Sequence, residues 1–446
     1  MNACITVREF ARLTTVPVAT PSLDCAQVSV SAFEWLCKLN ARIRSQGAPF
    51  AELEDSRWLR LDNFVGVVET PCGTRLEILP KHLEADDCIC DSRALRQRMI
   101  ASAMDITPRA AGEASLQLFN APLSEWVITQ FLATLDHLIK RGVRSDYLRV
   151  ESAERFLRGQ LNLVRQMRQP PGRDYVLNIR HDIFLPDRAE NRLLKLALDR
   201  VAKIAQSPSN WRLAQELRSL LSEIPASRDV ADDFREWRKN RLMAHYQPVK
   251  PWCELILYQQ MPYALQGHWH GISMLFPMEK LFEHFVEKAL RADLLPGAKL
   301  IAQAASHSLC KHDGGDIFQL RPDMLLKHGL QMWVLDAKWK RLDASDRAHK
   351  YGLSQADLYQ VFAYGQKYLG GKGEMALIYP KSRGFSAPLE PFDYGNGLRL
   401  WVLPFDLDEM PGGRLQLAEK ITLPLLSKPL QPSAIDEVPE RMTAIG

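Results

Sequence analysis

Two short segments in the second half of the chain carry side chains that could hold a divalent metal ion. Pro322-Asp323 is followed, after an apolar stretch, by Asp336-Ala337-Lys338. Carboxylates suit Mg²⁺, a hard ion that prefers oxygen ligands. The ion activates water and stabilises the negative charge that develops on a phosphate, and a nearby lysine adds positive charge there. We therefore predict Mg²⁺-dependent phosphodiester hydrolysis. Lys338 would hold or polarise the attacking water, and the metal ligands would be Asp323, Asp336 and Ala337.

Two apolar runs are predicted to form the antiparallel hairpin that brings these side chains together: residues 317–326 and 331–339. Either a two-residue or a four-residue loop places Asp323 opposite Val334. Asp336 is then the diagonal neighbour of Asp323 on the same face, about 7–8 Å away at the backbone. Lys338 shares that face because side chains two residues apart in a strand point the same way. A three-residue loop would instead send Asp323 to the opposite face.

The helix predicted after this hairpin begins at Ser354 and carries Gln360 and Tyr364 one turn apart. Alone, these two side chains also fit a solvated helix edge, and the acid-acid-lysine pattern also fits an ordinary hairpin with a charged surface. Together they resemble two signatures: the PD-(D/E)-x-K motif of a large nuclease superfamily, and the Gln-x-x-x-Tyr motif beside such sites in RecB-like nucleases. The resemblance implies that Gln360 and Tyr364 belong to the catalytic site and orient it or the DNA strand.

A helix predicted over residues 278–291 precedes the hairpin. Its apolar residues form a core-facing stripe, and Glu279, Glu283 and Glu287 line the other side. In this superfamily an upstream helical glutamate often completes the metal site, and the helical angle favours Glu279 because it lies nearest the apolar edge. The order helix–strand–strand–helix–strand, with residues 374–379 as the last strand, resembles the superfamily core.

The composition of the chain is ordinary for a soluble globular protein. Its 446 residues are 46% hydrophobic and 25% charged, with a net charge of only +4, which excludes a polycation that coats DNA. No apolar run reaches the length of about 18 residues that predicts a membrane span, and the start MNACITVREF lacks a signal-peptide pattern. Eight scattered cysteines favour free thiols in a reducing compartment. We therefore expect a cytoplasmic protein that does not bind membranes.

The sequence pattern predicts an α+β protein. Residues 1–266 would form an N-terminal mixed α/β partner-binding region, with a hairpin at 57–80 and a helical part at 188–265. Residues 267–426 would form a nuclease domain with a central mixed β-sheet flanked by helices. The remaining residues, 427–446, have little periodicity and predict a loose C-terminal tail.

Residues 146–182 predict only short, irregular strands around the break Pro170-Pro171-Gly172. This stretch is locally basic, and arginine can donate two hydrogen bonds to one phosphate. It could contact DNA phosphates or an acidic partner surface, or it could be a solvated face; the pattern does not decide between them. The arginines are Arg155, Arg158, Arg165, Arg168, Arg173 and Arg180.

Several segments occur in the same order as in a known family. They are Val65–Val68, Leu76–Lys81, Arg158–Leu161, Arg188–Lys195, Met278–Glu283, Arg321–Asp323, Leu335–Lys338 and Asp357–Gln360. Together they resemble McrC, the nuclease subunits of the McrBC type IV restriction systems, over most of residues 60–405. The Leu-Phe-Glu element of that family favours Glu283 over Glu279 as a third catalytic acid and metal ligand, against the helical angle, so the choice stays open.

The resemblance also implies a partner. McrC-like subunits bind a hexameric AAA+ GTPase, McrB, insert an N-terminal portion into its ring and stimulate GTP hydrolysis, so GTP would be bound by the partner and not by this chain. Recognition of 5-methylcytosine in DNA belongs to the McrB side. The sequence agrees, because it contains no P-loop, no zinc finger and no evident helix for reading the major groove.

We therefore expect the endonuclease subunit of a restriction complex for phage defence, which cuts modified DNA with Mg²⁺ and stimulates the GTPase of its AAA+ partner. Two other functions stay open. The chain could be a GTPase-activating adaptor with a vestigial nuclease site, or a RecB-like repair nuclease that works without a partner. GTPase stimulation without nicking would indicate the adaptor, and cleavage of unmodified DNA by the chain alone would indicate the repair nuclease.

Overall fold

The chain divides into two compact units, Met1–Pro277 and Met278–Gly446. The predicted boundary after residue 266 and the predicted tail at 427–446 both lie outside the residues that the structure describes. Both units mix helices and sheets, so the predicted α+β class is confirmed. The computed structural model describes residues 4–44, 49–81, 89–104, 123–173, 175–237, 241–257, 274–395, 397–408, 414–418 and 420–426.

The first unit contains a four-stranded sheet in the order β1-β7-β6-β11, a second four-stranded sheet in the order β3-β2-β5-β4, and a three-stranded sheet in the order β8-β10-β9. Its strands are β1 (Cys4–Arg8), β2 (Arg12–Thr14), β3 (Cys25–Gln27), β4 (Ala51–Asp55), β5 (Trp58–Leu61), β6 (Phe64–Glu69), β7 (Arg75–Leu79), β8 (Asp146–Glu154), β9 (Gln160–Leu161), β10 (Leu177–Leu185) and β11 (Met274–Pro277). Its helices are α1 (Val30–Arg44), α2 (Ile89–Ala103), α3 (Leu123–Arg141), α4 (Leu163–Met167), α5 (Ala189–Ile204), α6 (Pro208–Leu220), α7 (Val230–Glu236) and α8 (Lys250–Leu257).

The predicted hairpin at 57–80 is present only in its second half. Strands β6 and β7 pair antiparallel, but the apolar run before them is broken, and β5 joins the other sheet. The break follows from a tight turn in which the backbone N of Phe64 donates to the carbonyl of Asp62 at 2.8 Å. Gly66 in β6 has a φ of 142°, and a Cβ there would lie 1.8 Å from the carbonyl oxygen of Met274. Only glycine lets β11 pair this closely with β6.

Residues 146–182 are regular, and the prediction of short irregular strands is wrong. Strands β8 and β10 pair antiparallel over nine residues each, from Asp146 opposite Leu185 to Glu154 opposite Leu177. Both strands mix charged and apolar side chains, so their alternation is weak in the sequence, and their pairing is the long-range contact that stabilises them. Within the predicted helical part at 188–265, the structure has the four helices α5–α8; its last residues, 258–265, lie outside the described part of the chain.

The second unit is built on a six-stranded sheet in the order β12-β15-β16-β17-β19-β18. Strands β16, β17 and β19 run parallel, whereas β15 pairs antiparallel with β16. Strands β13 and β14 form a separate two-stranded sheet inserted between β12 and β15. The elements are α9 (Met278–Ala292), β12 (Lys299–Ala302), β13 (His307–His312), β14 (Gly315–Leu320), β15 (Met324–His328), β16 (Gln331–Ala337), α10 (Gln355–Tyr368), β17 (Gly373–Pro380), β18 (Phe392–Asp393) and β19 (Leu398–Phe405).

The hairpin predicted to carry the chemistry exists, with two corrections. Its first strand begins at Met324, because the residues up to Leu320 belong to β14. Its register is shifted by two residues, with Leu325 instead of Asp323 opposite Val334. The shift follows from the loop, in which Gly329 has a φ of 58° and takes the first position of a two-residue turn. A shift of two residues leaves each side chain on its predicted face.

Cysteine usage differs from the expectation at one position. Cys90 is disulfide-bonded, whereas free thiols were expected at all eight cysteines. None of the helices in the described ranges combines the length and apolar character needed to span a bilayer. The free cysteines of the described residues are Cys4, Cys25, Cys37, Cys72, Cys253 and Cys310.

Candidate active site

The β15–β16 hairpin brings the two predicted metal-ligating acids together from adjacent segments. Met324 pairs with Leu335, and Asp323 and Asp336 are the next residues on the two segments at that end of the hairpin. Oδ2 of Asp323 accepts a hydrogen bond of 2.9 Å from the backbone N of Ala337. Asp323 is 9% exposed and Asp336 is 1% exposed. The two carboxylates are thus direct neighbours rather than the diagonal pair that the sequence predicts, and both are buried.

Lys338 connects this pair to helix α10. Its Nζ lies 2.7 Å from Oδ2 of Asp336 and donates to Oε1 of Gln360 at 3.2 Å. Nε2 of Gln360 donates to the hydroxyl of Tyr364 at 2.8 Å, and that hydroxyl donates to the carbonyl of Arg321 at 3.1 Å. Arg321 precedes the first acid by two residues. The contacts therefore run from one acid through the lysine and α10 to the segment that holds the other acid.

Burial raises the pKa of both Asp323 and Asp336, because it penalises the charged form of a carboxyl group. The negative charge of Glu283 raises the pKa of Asp323 further, and the charge of Asp323 does the same to Asp336. Burial lowers the pKa of Lys338, but attraction to Asp336 outweighs it, so the net pKa of Lys338 is raised and its ammonium stays charged.

The site has the properties of a cation-binding site. Oδ1 of Asp336 is buried without a hydrogen-bond donor, and Oδ2 has only the Lys338 ammonium, 2.7 Å away. Buried carboxylate oxygens that lack donors are costly unless a cation binds them, and they are the ligands that Mg²⁺ prefers. Within the described ranges no three His, Cys, Asp or Glu side chains form a metal-binding group. The groups that would hold an ion here are the two aspartates and the carbonyl of Ala337, with water.

Glu283, and not Glu279, lies at the edge of this site. Its side chain is 15% exposed, and Oε2 lies 2.8 Å from Nζ of Lys280. It is close enough to Asp323 to raise the pKa of that carboxyl group, whereas Glu279 is exposed on α9. Glu283 therefore stands beside the aspartate pair as the partner of Lys280.

Comparison with known proteins identifies the family. A family model described as the McrBC 5-methylcytosine restriction system component matches residues 59–380. The chain belongs to this family. The resemblance to McrC expected from the sequence is thereby confirmed, and all the candidate site residues lie within the matched range.

Two solved structures are similar to this McrBC family member. A refined half-complex from the tetradecameric assembly of Thermococcus gammatolerans McrB AAA+ hexamers with bound McrC aligns with a TM-score of 0.68 at 18% identity, over 92% of this chain and 96% of that chain. The cryo-EM structure of the T. gammatolerans McrBC complex aligns with a TM-score of 0.51 at 20% identity, over 65% of this chain and 87% of that chain. At this identity the similarity establishes the fold. No curated protein matches the chain.

Two contacts at the site were missed by sequence analysis. Nε2 of Gln303 lies 3.4 Å from Oδ1 of Asp323, and its backbone N donates to the carbonyl of the same residue at 2.9 Å. Asp357, which is 8% exposed, pairs with Nζ of Lys340 at 2.7 Å. Lys338 and Lys340 lie beyond the end of β16, in a tight turn, so strand alternation in the sequence does not predict where Lys340 points. Gln303 belongs to no motif, so no sequence signal points to it.

Mg²⁺ should stabilise this protein at about pH 8 and not at about pH 5. Without metal, the raised pKa values of Asp323 and Asp336 mean that folding stability is lost as the pH rises from the ordinary aspartate pKa, near about 4, through the folded-state values. Mg²⁺ at tenfold its Kd should restore about 1.4 kcal/mol, a rise in Tm of roughly 3 °C. At the lower pH, protons compete with the ion and the rise should vanish. Thermal melts in Mg²⁺ and in EDTA measure both values.

The matched variant for this measurement is Asp336→Asn, which removes one of the two repelling charges. Asparagine removes the charge that would bind the ion, so Mg²⁺ should leave the Tm of this variant unchanged at the higher pH. Equal responses of both proteins to Mg²⁺ would place the ion elsewhere and contradict the assignment.

Proposed function

We propose that this chain is the McrC-type nuclease subunit of a modification-dependent restriction complex. It would hydrolyse DNA phosphodiesters with Mg²⁺ and stimulate the GTPase of an McrB-like AAA+ hexamer that reads 5-methylcytosine. One observation carries the nuclease assignment: two adjacent buried carboxylates, Asp323 and Asp336, lie beside the charged Lys338. Membership of the McrBC family supports the restriction system.

The residues of the site would have different roles in hydrolysis. Mg²⁺, when bound, would stabilise negative charge on the phosphate and lower the pKa of bound water. Lys338 is held by Asp336 and Gln360 with its ammonium charged, so it can donate to the attacking water or to a phosphate oxygen. Positive charge fixed at that place stabilises the transition state more than the ground state. Gln360 and Tyr364 act as positioning residues, because they fix Lys338 to the segment that precedes Asp323.

Glu283 is proposed as the third acid, as the family resemblance implies. Its carboxylate is engaged by Lys280, so it would act on the ion through water or after exchange of that partner. Its negative charge already acts on Asp323, whose pKa it raises.

The partner half of the proposal is supported by a surface of the first unit. The sheet β8–β10–β9 and helix α4 are here called the arm (Asp146–Leu185). The arm exposes several large apolar side chains, and soluble monomers rarely have large apolar patches at the surface. We propose that this arm contacts the GTPase. The exposed residues are Tyr147, Leu148, Phe156, Leu157, Leu163, Val164, Met167, Tyr175 and Phe184.

The arginines of the arm fit the same interpretation. Arg165 and Arg180 pair with Glu151 at 3.2 and 2.5 Å, so they are neutralised within the arm. Four others have no ion-pair partner in the described part of the chain. Arginine among exposed aromatic and aliphatic side chains is typical of protein interfaces, and AAA+ hexamers of McrB with bound McrC occur in the similar T. gammatolerans assembly. The four are Arg155, Arg158, Arg168 and Arg173.

Reconstitution with an McrB-like GTPase tests the whole proposal. The chain and the GTPase, separately and together, are incubated with methylated and unmethylated plasmid, GTP and Mg²⁺. We expect cleavage only of methylated plasmid in the complete mixture, and faster GTP hydrolysis when the chain is added. Stimulated GTP hydrolysis without nicking would indicate an adaptor with a vestigial site. Cutting of unmethylated plasmid by the chain alone would indicate a partner-free nuclease, and either result would overturn the proposal.

A further inference from the structure

The loop between β16 and α10, Trp339–Leu353, combines a strained backbone with unpaired positive charge. We propose that it is a DNA-binding loop in which Arg347 and Lys350 contact duplex phosphates next to the cleavage site. This inference rests on the proposed nuclease function and adds a surface that holds the substrate.

Three consecutive residues of this loop have a left-handed backbone. The φ angles are 57° at Lys350, 60° at Tyr351 and 84° at Gly352. Only glycine adopts this conformation without a steric penalty, because a Cβ approaches the following carbonyl. Residues with side chains keep such a conformation where the surrounding structure fixes it, and they cluster at functional sites.

The surrounding structure does fix this turn. The backbone N of Tyr351 donates to the carbonyl of Asp346 at 2.8 Å, and the carbonyl of Tyr351 accepts from the backbone N of Asp343 at 3.1 Å. The Tyr351 ring packs edge-on against Phe392, with ring centroids 6.5 Å apart. The turn is therefore held on both sides, and it presents Lys350 to solvent in one backbone conformation.

Positive charge in the loop exceeds negative charge, and both of its acids are engaged. Asp343 accepts hydrogen bonds from within the loop, and Asp346 lies 2.9 Å from Nδ1 of His349. Arg347 and Lys350 are exposed, and their side chains have no ion-pair or hydrogen-bond partner among the described residues. Exposed, unpaired Arg and Lys are the groups that neutralise DNA phosphates. The charged residues of the loop are Lys340, Arg341, Asp343, Asp346, Arg347 and Lys350.

Both ends of the loop are attached to the candidate active site. It begins directly after Lys338, and Nζ of Lys340 lies 2.7 Å from Oδ2 of Asp357 in the first turn of α10. It ends at the helix that carries Gln360. A duplex whose phosphate reaches Asp336 therefore passes beside this loop, and contacts there would fix its register without reading its sequence.

Duplex binding at several salt concentrations tests the loop. The full chain carries Asp336→Asn to prevent cutting, and its binding to a labelled unmethylated duplex is followed by fluorescence anisotropy without Mg²⁺. The test variant adds Arg347→Gln and Lys350→Asn, because asparagine removes the charge and tolerates a left-handed backbone. We expect the slope of log K against log salt to fall by about 1.8. The affinity at about 0.1 M salt should fall roughly 50-fold.

The matched control adds Lys367→Gln and Lys372→Gln, which remove two exposed cations at the other end of α10. We expect its affinity and salt slope to equal those of the background protein. The proposal is overturned if the loop variant matches the background, if the control loses as much affinity, or if the background protein binds no duplex at low salt. A wild-type protein that binds the duplex through the loop but does not cut it would contradict the nuclease function alone, and not the proposed role of the loop.

Discussion

Asp336→Asn is expected to abolish DNA cleavage by the complex and to leave stimulation of the partner's GTPase intact. The Asp336 side chain is 1% exposed and forms the ion pair with Lys338 at 2.7 Å. Asparagine keeps its shape but removes the charge that would bind Mg²⁺, and it leaves Lys338 without its counter-ion. Loss of charge stabilisation at the reacting phosphate should lower the cleavage rate by at least about 10³-fold. Plasmid nicking and phosphate release from GTP, measured on the same samples, separate the two activities.

Asp316→Asn is the matched control, because Asp316 is exposed on β14 in the same unit and its side chain makes no hydrogen bond or ion pair within the described part of the chain. It should cut like the wild type. Cleavage by Asp336→Asn within tenfold of the control rate would show that the reaction does not use this carboxylate, provided that thermal melts show both variants folded.

The sequence predicted the arrangement of Asp336 and Lys338 because it depends on one strand. Side chains two residues apart in a strand lie on the same face, whichever strand is the neighbour. In the structure, Nζ of Lys338 lies 2.7 Å from Oδ2 of Asp336. The relation of Asp323 to Asp336 depends on the loop between the strands. The face of the sheet on which each side chain lies was predictable, because the apolar pattern fixes it. The residue-by-residue pairing was not predictable, because Gly329 takes the first loop position with a φ of 58°.

Contacts made by distant residues could not be predicted. The hydroxyl of Tyr368 lies 2.9 Å from the carbonyls of both Ala304 and Leu320, so α10 also holds the base of the β13–β14 sheet. Residues 317–326 were predicted as one strand although Pro322 interrupts them, because the sequence does not reveal the contact of Leu320 with Tyr368. The same limitation applies to the arm, whose strands are stabilised by each other across a long connection. Tertiary contacts override local patterns at these places.

Glu77→Leu should destabilise the Met1–Pro277 unit by about 3–5 kcal/mol. The Glu77 side chain is 1% exposed, and its two oxygens lie 2.8 Å from Nη2 of Arg96 and 2.6 Å from Nη2 of Arg93. Arg96 is fully buried at 0% exposure, so removal of Glu77 leaves its charge in the core without a counter-ion. The guanidinium group keeps its charge because the pKa of arginine is too high for it to lose a proton. Urea denaturation, followed by fluorescence, measures the change in the free energy of unfolding.

The pH dependence of this unit should follow Glu77. Burial lowers the pKa of Arg96 more than Glu77 raises it, but the guanidinium stays protonated in the folded and unfolded states alike. Burial raises the pKa of Glu77, yet attraction to Arg96 and Arg93 outweighs it and the net pKa is lowered. The pair therefore stabilises the fold above the unfolded glutamate pKa of about 4.3, and this stability is lost as the pH falls through the folded value. Glu77→Leu should remove that acid sensitivity.

A double variant that replaces both partners distinguishes the effect of an unpaired buried charge from the effect of lost packing. Glu77→Leu with Arg96→Met should recover most of the stability, because it leaves no fully buried charge unpaired. Arg93 also loses Glu77, but its side chain is 18% exposed. Glu52→Leu is the control, since Glu52 is 67% exposed in its ion pair with Arg60 and such pairs contribute about 0–1 kcal/mol. Equal losses at both glutamates would contradict the buried pair. Glu77 lies in a segment that resembles McrC, and its partners on α2 give that segment a structural reason to contain an acid.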